Sequence, residues 1–141
     1  MKILLAVDGS DISLRAVRSL IDHVQWFADK PEVLLLTVHL PIPSGLATHY
    51  VSHAALQSYY RESGDIALAP ARQLLDAASL PHTPHIHVGD PAVVIVKMAD
   101  ELGCDLICLG SHGHGAMQNA ILGSVVTRVL HLARVPVLVA K

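Results

Sequence analysis

The chain has 141 residues, the length of one ordinary domain, and we expect residues 1–141 to form a single domain. Its formal net charge of −2, with 16% charged residues, is atypical of nucleic-acid-binding proteins, which normally present a basic face. The apolar runs are far shorter than the roughly 18–20 residues of a membrane span. The run Ile3–Val7 is followed too soon by Asp8 and Gly9 to be a signal peptide. The sequence therefore predicts a cytoplasmic protein that binds neither nucleic acid nor membrane.

Apolar, β-branched runs predict buried strands, which alternate with segments of helical periodicity. The predicted strands are Ile3–Val7, Val33–Val38, Pro84–Val88, Asp105–Leu109 and Val135–Ala140. The predicted helices are Asp11–Ala28, Ser52–Ala78, a helix that starts at Asp90-Pro91 and stops at Gly103, and Leu122–Ala133. We expect Ser10 or Asp11 to cap the first helix, Asp90 to cap the third, and Pro70 to kink or break the second. The Pro41–Ser52 and Gly110–Ala120 segments are predicted loops.

This order of elements predicts an α/β fold. Strands that are apolar on both faces and separated by helices indicate a parallel sheet covered on both sides. Right-handed crossovers then give a single doubly wound, Rossmann-like sheet. Such sheets bind ligands at the carboxyl ends of the strands, where the winding reverses.

The segment between the fourth strand and the last helix carries the sharpest motif. Gly110-Ser111-His112-Gly113 is followed, after nine residues, by Gly123-Ser124. Glycines allow the backbone to approach a ligand closely, and the first amides of a helix can bind phosphate. The alternative is an ordinary glycine-rich connection with Ser124 as a helix cap. The segment is neither a Walker loop nor a GxGxxG motif, because it lacks their lysine and glycine spacing.

The spacing Gly-x2-Gly-x9-Gly-Ser resembles the ATP-binding signature of the universal stress protein family. The resemblance extends along the whole chain through Ile3–Ser10, Gly89-Asp90-Pro91, Ala99–His112 and Arg134–Val139. It implies a five-stranded parallel sheet of order 3-2-1-4-5 with helices on both faces. The first and fourth strands would then flank the switch point and place Asp8 beside Gly110.

The resemblance also implies a ligand and the residues that bind it. The implied ligand is an adenine nucleotide, which is ATP or else AMP or ADP, with or without Mg²⁺. The residues implied to face the nucleoside are Ala6, Asp8, Gly9, Ser10 and Val38. Those implied to face the ribose and phosphates are Gly110, Gly113, Gly123, Ser124 and Val125, and the implied set is completed by Leu109, His114 and Gly115. For Asp8, an Asx turn or a helix cap is the alternative role.

Two positions depart from the pattern of many family members. Val126 stands where many carry Ser or Thr, so one hydroxyl on the phosphate side is missing. His114 stands where many carry Arg, and histidine is cationic only below its reference pKa of about 6.5. Both departures predict weaker binding of a triphosphate without loss of the site.

Ten histidines and two cysteines could suggest metal or redox chemistry. His112 and His114 could contact phosphate or a metal, with a solvated loop pair as the alternative. His82, His85 and His87 surround a strand start without an evident further ligand, so we predict no metal site. Cys104 and Cys108 are expected to be reduced thiols, with Cys108 buried.

The predicted function is adenine-nucleotide binding with a regulatory role in the stress response. A slow ATPase or phosphotransferase is the alternative, and a ligand-free protein that acts through protein contacts is a third. Features that would favour catalysis are missing: the sequence has no DxDxT motif and no paired carboxylates near the loop. We therefore predict no catalytic residue.

The last predicted strand indicates a homodimer. Residues Val135–Val139 are apolar apart from Pro136, which cannot donate to a ladder and therefore indicates an edge strand. An apolar edge left open promotes aggregation. The resemblance implies antiparallel pairing of this strand with its copy across a two-fold axis.

Overall fold

The computed structural model describes residues 1–43, 45, 51–114 and 121–141. The five strands of its sheet are β1 (Lys2–Ala6), β2 (Glu32–His39), β3 (His82–Val88), β4 (Leu106–Gly110) and β5 (Val137–Ala140). The α-helices that we label are α1 (Asp11–Asp22), α2 (His53–Ala77), α3 (Pro91–Glu101) and α4 (Ser124–Leu132). Parts of the two predicted loops, including Gly115, lie outside the described residues.

The sheet is parallel, and its strand order β3-β2-β1-β4-β5 confirms the predicted topology. β1 lies at the centre, where Ala6 is level with Leu36 of β2 on one side and with Leu109 of β4 on the other. The carboxyl ends of these three strands therefore meet at the switch point of the winding.

Each face of the sheet carries its own apolar cluster. In β1 successive side chains alternate, so that Ile3 and Leu5 join one cluster and Leu4 joins the other. The first cluster is closed by α1 and α2, and the second by α3 and α4. Two covered faces are what the continuous apolar strands predict. Among the described residues, no helix combines the length and apolarity needed to cross a bilayer.

Of the two outcomes predicted at Pro70, a break is wrong, because α2 continues through this residue, and a kink stays a prediction. Pro70 removes one helical hydrogen bond, at a cost of roughly 3 kcal/mol. Leu68, Ala71 and Leu75 on either side are fully buried against the sheet, and burial of each leucine stabilises the helix by about 1.5–3 kcal/mol. Gly64 lets this helix approach β3, since a Cβ there would lie 2.6 Å from Cγ2 of Ile86.

The first helix is shorter than predicted. It ends at Asp22, and Val24–Trp26 forms a separate 3₁₀ turn. Two local contacts accompany the end of the helix. Nδ1 of the His23 ring lies 2.8 Å from the backbone oxygen of Ser19, and the Trp26 N–H donates to the backbone oxygen of His23 within the 3₁₀ turn. Gly103 follows the end of α3 with φ +63°, as predicted for a helix stop.

Candidate functional site

A cavity of about 460 Å³ opens at the carboxyl ends of β1, β2 and β4. The predicted site residues that line it are Ala6, Asp8, Val38, Leu109, Gly110, Gly113, His114, Gly123, Ser124 and Val125. Gly9 and Ser10 are not among the lining residues, and Gly115 lies outside the described residues. The topology thus brings together residues from both ends of the sequence.

The N-terminus of α4 forms one end of this cavity. Its first helical hydrogen bond runs from Thr127 N–H to Gly123 O at 3.0 Å, so the three N–H groups before Thr127 have no acceptor within the helix. Gly123 is the cap residue and supplies no side chain, whereas Ser10, Ser52 and Asp90 cap the other three helices with side-chain oxygens. Ser124 is the first helical residue, so its alternative role as the cap is wrong. The α4 N-terminus can therefore accept an anion.

Two signature glycines pack closely against backbone within the protein, Gly110 more tightly than Gly123. A Cβ on Gly110 would lie 2.8 Å from the backbone oxygen of Ile12, at the start of α1. A Cβ on Gly123 would lie 3.2 Å from Cα of His112, and the Gly123 N–H donates to Ser111 O at 2.8 Å. Both contacts are with backbone, which no rotamer change can relieve. These glycines bring β4, its following loop and α4 close together.

Gly9 and Ser10 serve the fold beside Asp8. Gly9 has φ +82°, a left-handed conformation that favours glycine, and a Cβ there would lie 3.3 Å from Cα of Ala67. Ser10 caps α1 by accepting a hydrogen bond from Ser13 N–H at 3.2 Å. The two residues therefore turn the chain from β1 into α1.

Asp8 is half-buried and heavily hydrogen-bonded. Oδ1 accepts hydrogen bonds from Ser10 N–H at 2.9 Å and from Ser10 Oγ at 2.5 Å, while Oδ2 accepts one from His114 N–H at 2.9 Å. Burial alone would raise the pKa of this carboxyl, but these hydrogen bonds, with Ser13 contributing, outweigh burial and lower its pKa below the ordinary value. Asp8 therefore stays ionised in the folded protein at neutral pH. The bond to Ser10 N–H makes the Asx turn that the sequence left as its alternative role.

At the other end of the cavity lie backbone groups of β2 that have no backbone partner in the part of the chain that the structure describes. The Val7 N–H donates to Leu36 O at 2.9 Å, just beyond the end of β1. Backbone groups of alternate strand residues point to the same side, so the N–H and C=O of Val38 also point to the β1 side, where β1 has already ended. Val38 thus presents one donor and one acceptor at the cavity.

The cavity wall beside Val38 includes residues that the sequence analysis did not identify. Pro91 and Ile95 at the start of α3, together with His39 and Leu40 after Val38, complete this wall. The His39 ring stacks on Tyr60 with centroids 6.1 Å apart, and its buried Nε2 has no hydrogen-bond partner among the described residues. The matched segment Gly89-Asp90-Pro91 was a signal for the α3 wall, but only the fold shows that it faces β2.

The charge of the cavity is low. Among its described lining residues, Asp8 has the one carboxylate, and His39, His112 and His114 are the groups that could become cationic. Arg128 of α4 is bound to the α3 cap, with its Nη1 2.5 Å from Oδ2 of Asp90. That hydrogen bond is the main reason why the pKa of the Asp90 carboxyl is lowered.

The two departures from the family pattern have visible consequences. Val126 is 2% exposed and belongs to the apolar cluster beneath α4. The next hydroxyl, Thr127 Oγ1, donates to Gly123 O at 3.0 Å. The exposed His114 has its Nε2 3.0 Å from the backbone oxygen of Asp8.

The remaining histidines and cysteines do not form a metal centre in the described part of the chain, which holds no suitable cluster of three or more His, Cys, Asp or Glu. His85 and His87 stack with centroids 6.4 Å apart, and burial, followed by the charge of His87, lowers the pKa of His85. Both cysteines are free, as predicted, and both are buried, although burial was predicted only for Cys108. Burial raises the pKa of Cys108 to about 12, which disfavours its reactive thiolate.

Comparison with known proteins agrees with this architecture. A model of the universal stress protein family matches residues 1–141. Universal stress protein MJ0531 of Methanocaldococcus jannaschii is 31% identical over 140 residues, covering 99% of this chain and 81% of that protein.

Solved structures of similar proteins also share this fold. The structure of MJ0577 is 28% identical, with a TM-score of 0.85, and the match covers 99% of this chain and 94% of that one. A universal stress protein solved in complex with cAMP is 25% identical, with a TM-score of 0.69, and the match covers 100% of this chain and 97% of that one. From its sequence and its fold, the chain belongs to the universal stress protein family.

Proposed function

We propose that the chain is a cytoplasmic regulatory protein of the stress response that binds an adenine nucleotide, ATP or else AMP or ADP, in the cavity at the switch point. The observation that carries the proposal is that the cavity has two polar ends: the N-terminus of α4, which has no side-chain cap, and the Val38 N–H and C=O, for which the described residues provide no backbone partner. One end suits an anion and the other suits the edge of a base. The cAMP complex of a relative supports the same class of ligand.

Val38 favours adenine over guanine. A backbone C=O can accept from the adenine amino group while the neighbouring N–H donates to ring nitrogen N1. Guanine carries the opposite pattern at these two positions, an oxygen acceptor and an N–H donor. The base would pack against the apolar wall of Pro91 and Ile95. We therefore expect ATP to bind and GTP to bind much more weakly.

The phosphates would lie at the start of α4. There the first N–H groups and the Ser124 hydroxyl can donate to phosphate oxygens. Asp8 is already engaged by Ser10 and His114, so Mg²⁺ would be held by the phosphates and water more than by protein carboxylates. The same engagement of Asp8 favours a binding role over the alternative of a slow ATPase or phosphotransferase.

A negative charge at the start of α4 tests the proposal. Ser124→Asp is compatible with the helix, because an acidic residue in the first turn is favourable there, but it repels phosphate. Calorimetric titration should show ATP binding to the wild type and a loss of roughly tenfold or more in the variant, a range typical of a lost charge-assisted contact. His53→Asp places the same acidic residue at the first position of α2 and should leave binding unchanged. Unaltered ATP affinity in Ser124→Asp would contradict the proposed phosphate position.

We also propose a homodimer through β5, with that strand paired antiparallel to its copy. β5 is an edge strand of the sheet, and Pro136 immediately precedes it. Light scattering should report twice the chain mass for the wild type and a shift toward the monomer for Val137→Lys or Leu138→Lys. Thr83→Lys, an exposed position on the opposite edge strand β3, is the matched control. A wild-type monomer at micromolar concentration would contradict this proposal.

A further inference from the structure

Asp8 makes two hydrogen bonds to a residue that lies 106 positions later. Its Oδ2 accepts from the His114 N–H at 2.9 Å, and its backbone oxygen lies 3.0 Å from Nε2 of His114. The other carboxylate oxygen accepts from the backbone and the hydroxyl of Ser10. The end of β1 is therefore bonded both to the start of α1 and to the loop that follows β4.

Gly113 makes this contact sterically possible. A Cβ on Gly113 would lie 2.5 Å from Oδ2 of Asp8, closer than carbon and oxygen atoms can approach. The requirement is one of space, since Gly113 is not among the residues with positive φ. The Gly113 position and the His114 N–H therefore form one close contact with the carboxylate, which we call the Asp8 latch.

The latch leaves little of the carboxylate for a ligand. Three donors occupy two oxygens that together offer about four acceptor sites. The loop held by the latch also contacts α4, because Ser111 O accepts from Gly123 N–H and His112 Cα packs against Gly123. The chain of contacts thus runs from Asp8, through the loop, to the helix N-terminus.

We propose that Asp8 is a positioning residue: its carboxylate holds Gly113 and His114 so that the loop and the N-terminus of α4 are correctly placed for the ligand's phosphates. The ligand half of this inference rests on the proposed function. It assigns Asp8 a role different from the nucleoside contact that the family resemblance implied.

A double-mutant cycle tests the latch without any ligand. Gly113→Ala should lower the midpoint of denaturant unfolding in the wild-type background, because the new methyl group meets Oδ2. In an Asp8→Ala background the obstructing oxygen is gone, so the same substitution should lower the midpoint far less. Residues in contact show such coupling, whereas independent residues do not. Equal shifts in the two backgrounds would overturn the latch.

Ligands with different numbers of phosphates test the positioning role. In Asp8→Asn the side-chain size is kept, but one of the two accepting oxygens becomes an NH2 group, so the hydrogen bonds from Ser10 and from the His114 N–H can no longer both form. Affinity measured by calorimetry should fall most for ATP, less for AMP and least for adenosine. Asp11→Asn removes a nearby carboxylate from the first turn of α1 and should leave all three affinities unchanged.

The outcomes separate the two proposals. An equal loss for adenosine, AMP and ATP in Asp8→Asn would mean that Asp8 contacts the nucleoside, which overturns the positioning role. If the wild type bound none of the three, the proposed function would fail, while the unfolding cycle would still decide whether the latch exists.

Discussion

Substitution of Gly110 separates the packing role of the signature from its ligand role. The Cβ of Gly110→Ala would meet three backbone atoms of α1, at 2.8 Å from Ile12 O, 3.1 Å from Ile12 C and 3.2 Å from Ser13 Cα. Backbone atoms can withdraw only if α1 moves away from β4. Overpacking of a core typically costs about 1–3 kcal/mol.

The expected effect on thermal unfolding follows from that magnitude. Each kcal/mol shifts the melting temperature of a domain of this size by about 4 °C, so Gly110→Ala should melt about 4–12 °C below the wild type. Gly103→Ala is the control: it forces alanine to φ +63°, but its Cβ has no described atom within 4 Å. It should cost about 1 kcal/mol, or about 4 °C, through backbone conformation alone.

Differential scanning calorimetry with and without ATP measures the effect of each substitution on thermal stability and on stabilisation by the ligand. If packing dominates, Gly110→Ala unfolds earlier than Gly103→Ala and its remaining folded fraction is still stabilised by ATP. The reasoning would be refuted if Gly110→Ala melted like the wild type and had lost only its response to ATP. That result would mean that the close backbone contact with Ile12 is relieved easily and that Gly110 serves the ligand.

Three further predictions concern charge and turnover. The folded-state pKa of Asp8 is lowered from its ordinary 3.8, so the carboxylate stabilises the fold fully above that value and loses this contribution as pH falls through the lowered pKa. In Asp8→Asn, denaturant titrations between about pH 2 and 6 should therefore show a flatter dependence of the unfolding free energy on pH. An unchanged pH profile would contradict the role of the Asp8 carboxylate. His114→Arg places a permanent cation beside the proposed phosphate position. Titration calorimetry at about pH 8 should show an ATP affinity about two- to fivefold higher than that of the wild type and an unchanged affinity for adenosine. Weaker ATP binding would contradict the proposed position of the phosphates. Phosphate release with Mg²⁺ should stay far below the roughly 1–100 s⁻¹ of kinases, and a rate in that range that Ser124→Ala abolishes would establish an enzyme instead.

The topology was predictable because local patterns and the family resemblance agreed. Apolar runs located each strand to within a few residues, and the resemblance supplied the strand order. Where prediction failed, long-range packing overrode a local rule. Pro70 should end a helix by its own chemistry, yet buried Leu68 and Leu75 hold α2 together across it. Pro84 is accommodated within β3 because that strand is at the edge of the sheet.

The candidate site was only partly predictable for the same reason. The spacing from Gly110 to Ser124 located the α4 end of the cavity, because the end of β4 and the start of α4 lie close together in the sequence. The wall formed by Pro91 and Ile95 comes from an element that carries no motif for a base. Likewise, nothing in local periodicity connects Asp8 with His114, which meet only when β1 and β4 become neighbours.

The packing of the glycines limits what their spacing can say about nucleotide binding. The contact with the Ile12 backbone favours glycine at position 110 even in a chain of this fold that bound no ligand, and at position 123 the backbone of His112 would have to shift by a few tenths of an ångström to admit a Cβ. The features that the fold does not need are more informative. A side chain could have capped α4, as it does the other helices, and β1 could have extended to pair with Val38; neither happens. Among the described residues, both leave polar backbone groups without a backbone partner at one cavity, and these groups, more than the signature glycines, support the proposal of a bound nucleotide.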